Sequence, residues 1–197
     1  RPKAANIDLA LMTVSTVRPV PNTYVLDKLI TVCEFKQIEP VIILTKTDLK
    51  TDDTFTDIYQ NAGFTVIQTG KGIENREEIL AVMKGKTSIF IGNTGVGKST
   101  LLNRLFPDLG LRTAAISGKL GRGRHTTRQV ELYPVPGGGY VADSPGFSSV
   151  ELEAYEPIRK EELAGCFREF RPYLDGCQFA DCSHRKEKGC AVLKAID

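Results

Sequence analysis

The pattern of hydrophobic and polar positions predicts a chain in which strands and helices alternate. Short apolar runs bounded by turn residues indicate buried strands, and apolar residues spaced three or four apart indicate helices. The predicted strands are 7–14, 41–44, 64–67, 88–91, 130–135 and 140–143, and the predicted helices are 23–36, 54–62, 74–84 and 98–106. Beyond Gly146 no further strand is predicted. The pattern is typical of an α/β fold with a mostly parallel sheet and helices on both faces, followed by a small segment of helices and loops.

The fourth predicted strand runs directly into a glycine-rich loop that predicts phosphate binding. Its sequence, GNTGVGKST, fits the pattern G-x-x-x-x-G-K-[ST]. Such glycines let backbone N–H groups surround a phosphate, and the following helix adds the positive end of its dipole. Lys98 would place its charge on the β- and γ-phosphates, and the Ser99 hydroxyl is a suitable ligand for Mg²⁺. The predicted phosphate-binding residues are Gly92, Asn93, Thr94, Gly95, Val96, Gly97, Lys98, Ser99 and Thr100.

The second predicted strand ends in a motif that predicts recognition of guanine. Thr45-Lys46-Thr47-Asp48 resembles the [NT]-K-x-D motif of GTPases. The Asp48 carboxylate can accept two hydrogen bonds from guanine N1–H and N2–H₂, a pair of donors that adenine lacks. The Lys46 stem can lie along the base, whereas Thr45, in place of the commoner Asn, is expected to weaken one cross-link to the phosphate loop. The backbone of residues 69–71 is predicted to contact the base oxygen.

Two further motifs are predicted to respond to the γ-phosphate. The sequence DSPG, from Asp143 to Gly146, follows the last predicted strand and matches D-x-x-G. Asp143 would hold Mg²⁺ through water, and the Gly146 N–H would sense the γ-phosphate. The first switch is predicted at 123–127, where a threonine hydroxyl completes the Mg²⁺ shell. Thr126 and Thr127 both fit this role, and we favour Thr127.

The order of these motifs is unusual. In most GTPases the phosphate loop comes first and the base motif fourth, whereas here Asp48 precedes Gly92. Nothing after Gly146 offers a strand followed by a second base motif. We therefore predict a circularly permuted GTPase domain. In this order the second switch leads directly into the C-terminal segment, so loss of the γ-phosphate can pull on that segment.

The C-terminal segment contains a cluster of cysteine and histidine residues. The spacing Cys177-x₄-Cys182-x-His184-x₅-Cys190 supplies three thiolates and one imidazole. Four such ligands suit tetrahedral Zn²⁺ and leave no open coordination position, so the predicted zinc is structural. Free cysteines in a small loop are the alternative interpretation. The chain has 5 cysteines, and an odd number without a secretory signal argues against a disulfide framework.

These motifs together resemble one family. GNTGVGKST, GRGRHTTR, DSPGF, the permuted order and the terminal Cys/His cluster are similar to the RsgA family, also called YjeQ or YloQ, over the whole chain. Members are GTPases that depend on the small ribosomal subunit. The resemblance implies GTP hydrolysis to GDP during late maturation of that subunit, with Mg²⁺ and one structural Zn²⁺. It also implies a GTPase domain over 1–156, a zinc-binding domain over 157–197 and an OB-fold upstream of this sequence.

The position directly after the D-x-x-G motif bears on the mechanism of hydrolysis. It is Phe147, where many GTPases have a Gln that orients the attacking water. We therefore expect slow intrinsic turnover that depends on a partner or on another residue. His125 in the first switch is the candidate, and an exposed loop histidine or an RNA contact are the alternatives. Lys98 and Thr127 complete the predicted catalytic set.

Charge and hydropathy narrow the choice of partners only slightly. The formal net charge of +2 is too small to imply nucleic-acid binding by itself. The segment 112–128 has five basic and no acidic residues, and it can either meet rRNA phosphates or simply be solvated. An rRNA partner therefore rests on the resemblance. Because no apolar run approaches the roughly 20 residues that span a bilayer, and no signal peptide is visible, we expect a cytoplasmic protein without a membrane partner. We also expect a monomer.

Two other classes of function stay open at this point. One is a nucleotide-gated module that binds RNA or protein and hydrolyses GTP only incidentally. The other is an ATP-using enzyme with a phosphate loop, which the Asp48 carboxylate disfavours because adenine cannot donate to it.

Overall fold

The structure is a computed structural model that describes residues 6–73, 75–107, 131–143 and 157–196. Several predicted positions lie outside the described residues, namely His125, Thr126, Thr127, Gly146, Phe147 and the basic segment 112–128.

Within the described residues, six strands form a single sheet. The strands are β1 (Leu9–Ser15), β2 (Glu39–Thr45), β3 (Thr65–Gln68), β4 (Thr87–Ile91), β5 (Glu131–Pro134) and β6 (Tyr140–Asp143). Their order across the sheet is β3-β2-β1-β4-β6-β5. All neighbouring pairs are parallel except β5 and β6, which form an antiparallel hairpin at one edge. The predicted α/β class with a mostly parallel sheet is confirmed.

Helices cover both faces of the sheet. The helices that pack on the sheet are α1 (Thr23–Phe35), α2 (Asp53–Asn61), α3 (Arg76–Met83) and α4 (Lys98–Leu105). The C-terminal segment adds the short helices α5 (Lys160–Leu163) and α6 (Ala191–Ile196), with 3₁₀ turns at Ala164–Cys166 and Arg171–Gly176. One apolar core lies between the sheet and α1 with α2, and a second lies between the sheet and α3 with α4. Because β1 is covered on both faces, its successive apolar residues enter the two cores alternately and give the continuous apolar run seen in the sequence.

The boundaries of the elements differ from the predictions by one or two residues. Shifts of two residues occur at the starts of β1, β2 and α3. β2 begins at Glu39 rather than at Val41 because β1 pairs with it from Leu9 onwards. Pro40 is tolerated here because pairing with β3 starts only at Val41, so its missing N–H costs no ladder bond on that side.

The C-terminal module (residues 157–196) packs on α1 and on the start of β2. The Arg168 guanidinium donates to the carboxylates of Glu34 and Glu39, at 2.8 Å each, and lies 4.6 Å from the centre of the Phe64 ring. Arg171 donates to the second oxygen of Glu34 at 2.5 Å. The Glu34 side chain is only 5% exposed, so two cations compensate one nearly buried carboxylate. Loss of both arginines would leave the Glu34 carboxylate uncompensated, so these contacts anchor the module specifically at this carboxylate.

Candidate nucleotide-binding and metal sites

The predicted motifs follow the central strands and lie together along the edge of the sheet that is formed by the carboxyl ends of its strands. The base motif begins at the last residue of β2, and the phosphate loop begins directly after β4. These strands flank β1 on its two sides, so the two loops lie across the end of a single strand. β6 pairs with β4 in parallel, with Ala142 opposite Ile89, and this places the start of the D-x-x-G motif beside the phosphate loop. Ligands of open α/β sheets bind at such an edge.

The backbone of the phosphate loop requires its glycines. A Cβ atom on Gly92 would lie 2.5 Å from the Thr13 carbonyl oxygen of β1, closer than Cβ atoms come to their neighbours in folded proteins. Gly97, just before α4, has a φ of +96°, which L side chains rarely adopt. The Lys98 ammonium donates to the Gly92 carbonyl at 2.7 Å and thus spans the loop. Ser99 is exposed in the first turn of α4, where a Mg²⁺ ligand is predicted.

Thr45 connects the base motif to the phosphate loop. Its hydroxyl lies 2.5 Å from the Val96 carbonyl oxygen and 3.1 Å from that of Val14. A hydroxyl carries a single proton, so only one of these bonds forms at a time, and the shorter one leads to the phosphate loop. The cross-link that a Thr in place of Asn was expected to weaken is therefore present, and it is short.

Lys46 ties together three separate loops. Its ammonium donates to the carbonyl oxygens of Val17 at 3.1 Å, Arg18 at 2.5 Å and Gly95 at 2.8 Å. An ammonium has three donors, so these bonds use all of its capacity. The bond to Gly95 holds the phosphate loop against the base motif. The loop at 17–18 was missed by sequence reasoning, because no motif marks it as a partner of Lys46.

The predicted base-recognition residues Asp48 and Gly70 lie in direct contact. A Cβ atom on Gly70 would lie 2.4 Å from Asp48 Oδ1 and 2.8 Å from the Asp48 nitrogen. The N–H and the hydroxyl of Thr47 both reach the Thr69 carbonyl, at 3.3 and 3.2 Å, and fix the two loops together. Asp48 is exposed, and no described residue donates a hydrogen bond to its carboxylate. The carboxylate is therefore accessible to a ligand at the junction of the two loops.

Two arginines that sequence reasoning missed support this junction from α4 and α3. Arg104 donates to the Gly70 carbonyl at 3.0 Å, and Arg76 donates to the carbonyls of Arg104 and Leu105 at 3.3 and 3.0 Å. Helix α4 therefore begins at the phosphate loop and, through Arg104 near its end, is hydrogen-bonded to the loop at 69–71. Neither arginine stands in a recognisable motif, and the contacts join residues 28 to 34 positions apart.

The four predicted zinc ligands lie together in the C-terminal module. The ligand atoms of Cys177, Cys182, His184 and Cys190 all lie within 4.8 Å of one another. His184 Nδ1 is 3.6 Å from Cys177 Sγ and 3.5 Å from Cys190 Sγ, and these two sulfurs are 4.0 Å apart. Zinc bonds of about 2.3 Å to sulfur and about 2.0 Å to nitrogen would place tetrahedral S···N and S···S pairs about 3.5 and 3.8 Å apart. The donor set and its spacing fit zinc.

Backbone N–H groups of α6 support two of these sulfurs. The Ala191 N–H points at Cys177 Sγ and the Leu193 N–H at Cys190 Sγ, both at 3.4 Å. The bond from Ala191 is the main cause that lowers the pKa of Cys177 below the ordinary thiol value. Such bonds favour the thiolate form, which is the form that binds a metal.

The fold and the arrangement of motifs define a class of protein. A mostly parallel sheet carries a phosphate loop after β4 and a guanine-type motif after β2, in reverse of the usual chain order. This is the architecture of a circularly permuted P-loop GTPase, and a Cys/His cluster compatible with zinc follows it.

Comparison with known proteins gives the family. The model of the RsgA GTPase family matches residues 1–153. The chain belongs to the RsgA GTPase family, as the resemblance of its motifs predicts. In the part of the chain that the structure describes, no helix combines the length and the apolar character needed to cross a bilayer.

Curated relatives match this chain from end to end. The small ribosomal subunit biogenesis GTPase RsgA 2 of Listeria innocua is 43% identical over 203 residues, covering 100% of this chain and 68% of the relative. The RsgA of Bacillus subtilis is 42% identical over 205 residues, covering 100% of this chain and 67% of the relative.

Two solved structures share the fold. YjeQ from Thermotoga maritima has a TM-score of 0.74 at 31% identity, over 97% of this chain and 64% of that protein. YloQ, described as a circularly permuted GTPase, has a TM-score of 0.71 at 36% identity, over 97% of this chain and 61% of that protein. This chain therefore spans about two thirds of the proteins it matches.

Proposed function

We propose that this protein hydrolyses GTP to GDP and phosphate during late maturation of the small ribosomal subunit, and that the subunit stimulates its turnover. The nucleotide part is carried by one observation, the convergence of Asp48, Lys46 and the phosphate loop at one edge of the sheet. The ribosomal part is supported by relatives that are small ribosomal subunit biogenesis GTPases by name. The relatives extend beyond this chain, so the activity of the whole protein belongs to the proposal.

GTP would lie along this edge with its base at Asp48 and its phosphates in the loop 92–97. The Asp48 carboxylate would accept hydrogen bonds from guanine N1–H and N2–H₂. Among the N–H groups of residues 69–71, those of Thr69 and Gly70 already donate to carbonyls, at 2.8 and 3.3 Å. The Lys71 N–H is therefore the donor that the geometry favours for the base oxygen.

The phosphate end would combine Mg²⁺ with residues of three motifs. Ser99, Asp143 and Thr127 would hold the ion, which neutralises charge on the β- and γ-phosphates when bound. Lys98, which spans the loop through its bond to the Gly92 carbonyl, would turn to the phosphate oxygens. His125 would orient the attacking water, and Gly146 would follow the γ-phosphate. The roles of Thr127, His125 and Gly146 rest on the sequence motifs alone.

The Cys/His cluster would hold one structural Zn²⁺. Cys177, Cys182, His184 and Cys190 would fill a tetrahedral shell, which would leave no position for a substrate. We propose a division into a GTPase domain over 1–156 and a zinc-binding domain over 157–197. We also propose that the protein is a cytoplasmic monomer whose macromolecular partners are the small subunit and its rRNA.

The test is GTP turnover by the full-length protein with and without purified small subunits, with large subunits as a specificity control. We expect turnover to rise many-fold with small subunits only, and Lys98→Ala to abolish the rise by removing a charge that stabilises the transition state. Turnover that stays flat would favour the alternative, a nucleotide-gated binding module with incidental hydrolysis.

His125→Ala separates the two roles proposed at the phosphate end. It should abolish the stimulated turnover while leaving GTP binding intact, because a residue that orients water does not hold the nucleotide. Unchanged stimulated turnover would assign the water to another residue.

A further inference from the structure

We propose that Glu187 is a positioning residue of the metal site: it fixes the turn that carries His184 so that Nδ1 faces the sulfurs of Cys177 and Cys190. The proposal rests on the zinc site proposed above. Glu187 lies three residues after His184 and three before Cys190, and it contributes no ligand atom to the cluster.

The evidence is a set of hydrogen bonds around a single carboxylate. One oxygen, Oε1, accepts from the hydroxyl of Ser183 and from its N–H, the latter at 3.1 Å. The other, Oε2, accepts from the N–H groups of Arg185 and Lys186, at 3.0 Å each. These donors, with the Ser183 hydroxyl as the largest cause, hold the pKa of Glu187 well below its usual range. All four of these hydrogen bonds are donated to the carboxylate, which suits its role as an acceptor.

The Glu187 carboxylate accepts hydrogen bonds from the chain on both sides of His184. Ser183 precedes the histidine and Arg185 follows it, so the carboxylate closes a ring around the ligand residue. His184 has a φ of +57°, in the left-handed region that L residues rarely occupy. Such a conformation persists only where the surroundings constrain it, and the hydrogen bonds of the carboxylate to Ser183 and Arg185 constrain the chain on both sides of His184.

Glu187 also connects the histidine to the last ligand. The Cys190 N–H donates to the Glu187 carbonyl at 3.3 Å. The backbone of Glu187 thus helps to set the position of Cys190, while its side chain sets that of His184. Without the carboxylate, the N–H groups of the turn lose their acceptor and the imidazole loses its fixed direction. Groups that orient metal ligands in this way affect affinity by roughly 10- to 100-fold.

The test is metal titration of the full chain with Co²⁺, whose d–d absorption reports a tetrahedral site, in competition with a chelator. We expect Glu187→Ala to weaken binding by about 10- to 100-fold. Glu187→Gln should recover part of the loss, because it keeps one carbonyl oxygen as acceptor. Glu169→Gln is the matched control, since Glu169 is exposed in the same module, and it should bind as the unaltered chain does. Unchanged affinity in both Glu187 variants would overturn the proposal.

A double-mutant cycle with His184→Ala separates positioning from general stabilisation. If Glu187 acts through the histidine, its removal should have little further effect once the histidine is gone. Equal losses in the two backgrounds would overturn the proposal and leave Glu187 as a stabiliser of the loop. Failure of the unaltered chain to bind Co²⁺ or Zn²⁺ is a distinct result, which would remove the zinc site itself.

Discussion

The proposed nucleotide site and the proposed metal site are built in contrasting ways. The loops of the nucleotide site leave the ends of central strands, and links such as Thr45 to Val96 and Lys46 to Gly95 hold them together. The metal site lies in a module of short helices and 3₁₀ turns, where the largest helix has six residues. Only Cys166, Cys190 and Val192 of that module belong to the buried apolar residues. A sheet can preform a binding site without its ligand, whereas a module with so little core needs the ligand to hold it together.

The largest expected effect follows from removal of the metal. Cys182→Ser should eliminate the bound zinc and abolish amide-exchange protection in 157–196, because metal binding supplies most of the folding free energy of such small units. Protection of β1 and β4 and the affinity for GTP should change little, since the anchoring contacts of the module are with Glu34, Glu39 and Phe64 and not with the nucleotide site.

Hydrogen exchange with mass spectrometry and metal analysis would check this prediction. Chelation followed by addition of zinc gives the matched control on the unaltered chain, where protection should be lost and then recovered. Loss of protection in the central strands would contradict the expectation that the sheet keeps its structure without the metal, because the two regions would then fold as one unit.

The second largest effect concerns the base. Asp48→Asn should weaken GTP binding by about 10²- to 10⁴-fold. The charged carboxylate that would accept from guanine N1–H and N2–H₂ is replaced by an amide with only one acceptor oxygen, and each such bond contributes about 1.5–3 kcal/mol. The same variant should gain affinity for XTP, whose base has a carbonyl where guanine has its amino group. Fluorescent nucleotide titration measures both affinities.

Asp57→Asn, on the exposed side of α2, is the control that changes charge without touching the site. Retention of GTP affinity in Asp48→Asn would show that another group reads the base.

A smaller effect is expected from a single added methyl group. Gly70→Ala would place a carbon 2.4 Å from Asp48 Oδ1, so the carboxylate must move away from the base. We expect GTP affinity to fall by about 10-fold, corresponding to about 1.4 kcal/mol. Gly165→Ala is the control, because the structure shows open space at that position. Equal nucleotide affinity in the two variants would show that the contact between the base loops is not needed.

The sequence predicted the elements and the chemistry of this protein in considerable detail. Strand and helix positions followed from apolar periodicity, because the central strands are buried on both faces and read as continuous runs. Asp48, Lys98 and Cys177 could be singled out because each stands in a motif whose residue types serve one chemistry. The permuted order was also visible, since it depends only on which motif comes first along the chain.

The contacts that hold these parts together were not predictable. Lys46 and Gly95 are 49 positions apart, Arg104 and Gly70 are 34 apart, and Arg168 and Glu34 are 134 apart. Such pairs form only after the strand order and register are set, and no local pattern records them. The hydrogen bonds from the turn around His184 to the Glu187 carboxylate are local, but they could not be predicted either, because they depend on the backbone conformation of the turn rather than on the spacing of residues. Sequence alone determined what each motif can bind, whereas tertiary structure decided which residues hold the motifs in position, because those partners meet only in the folded chain.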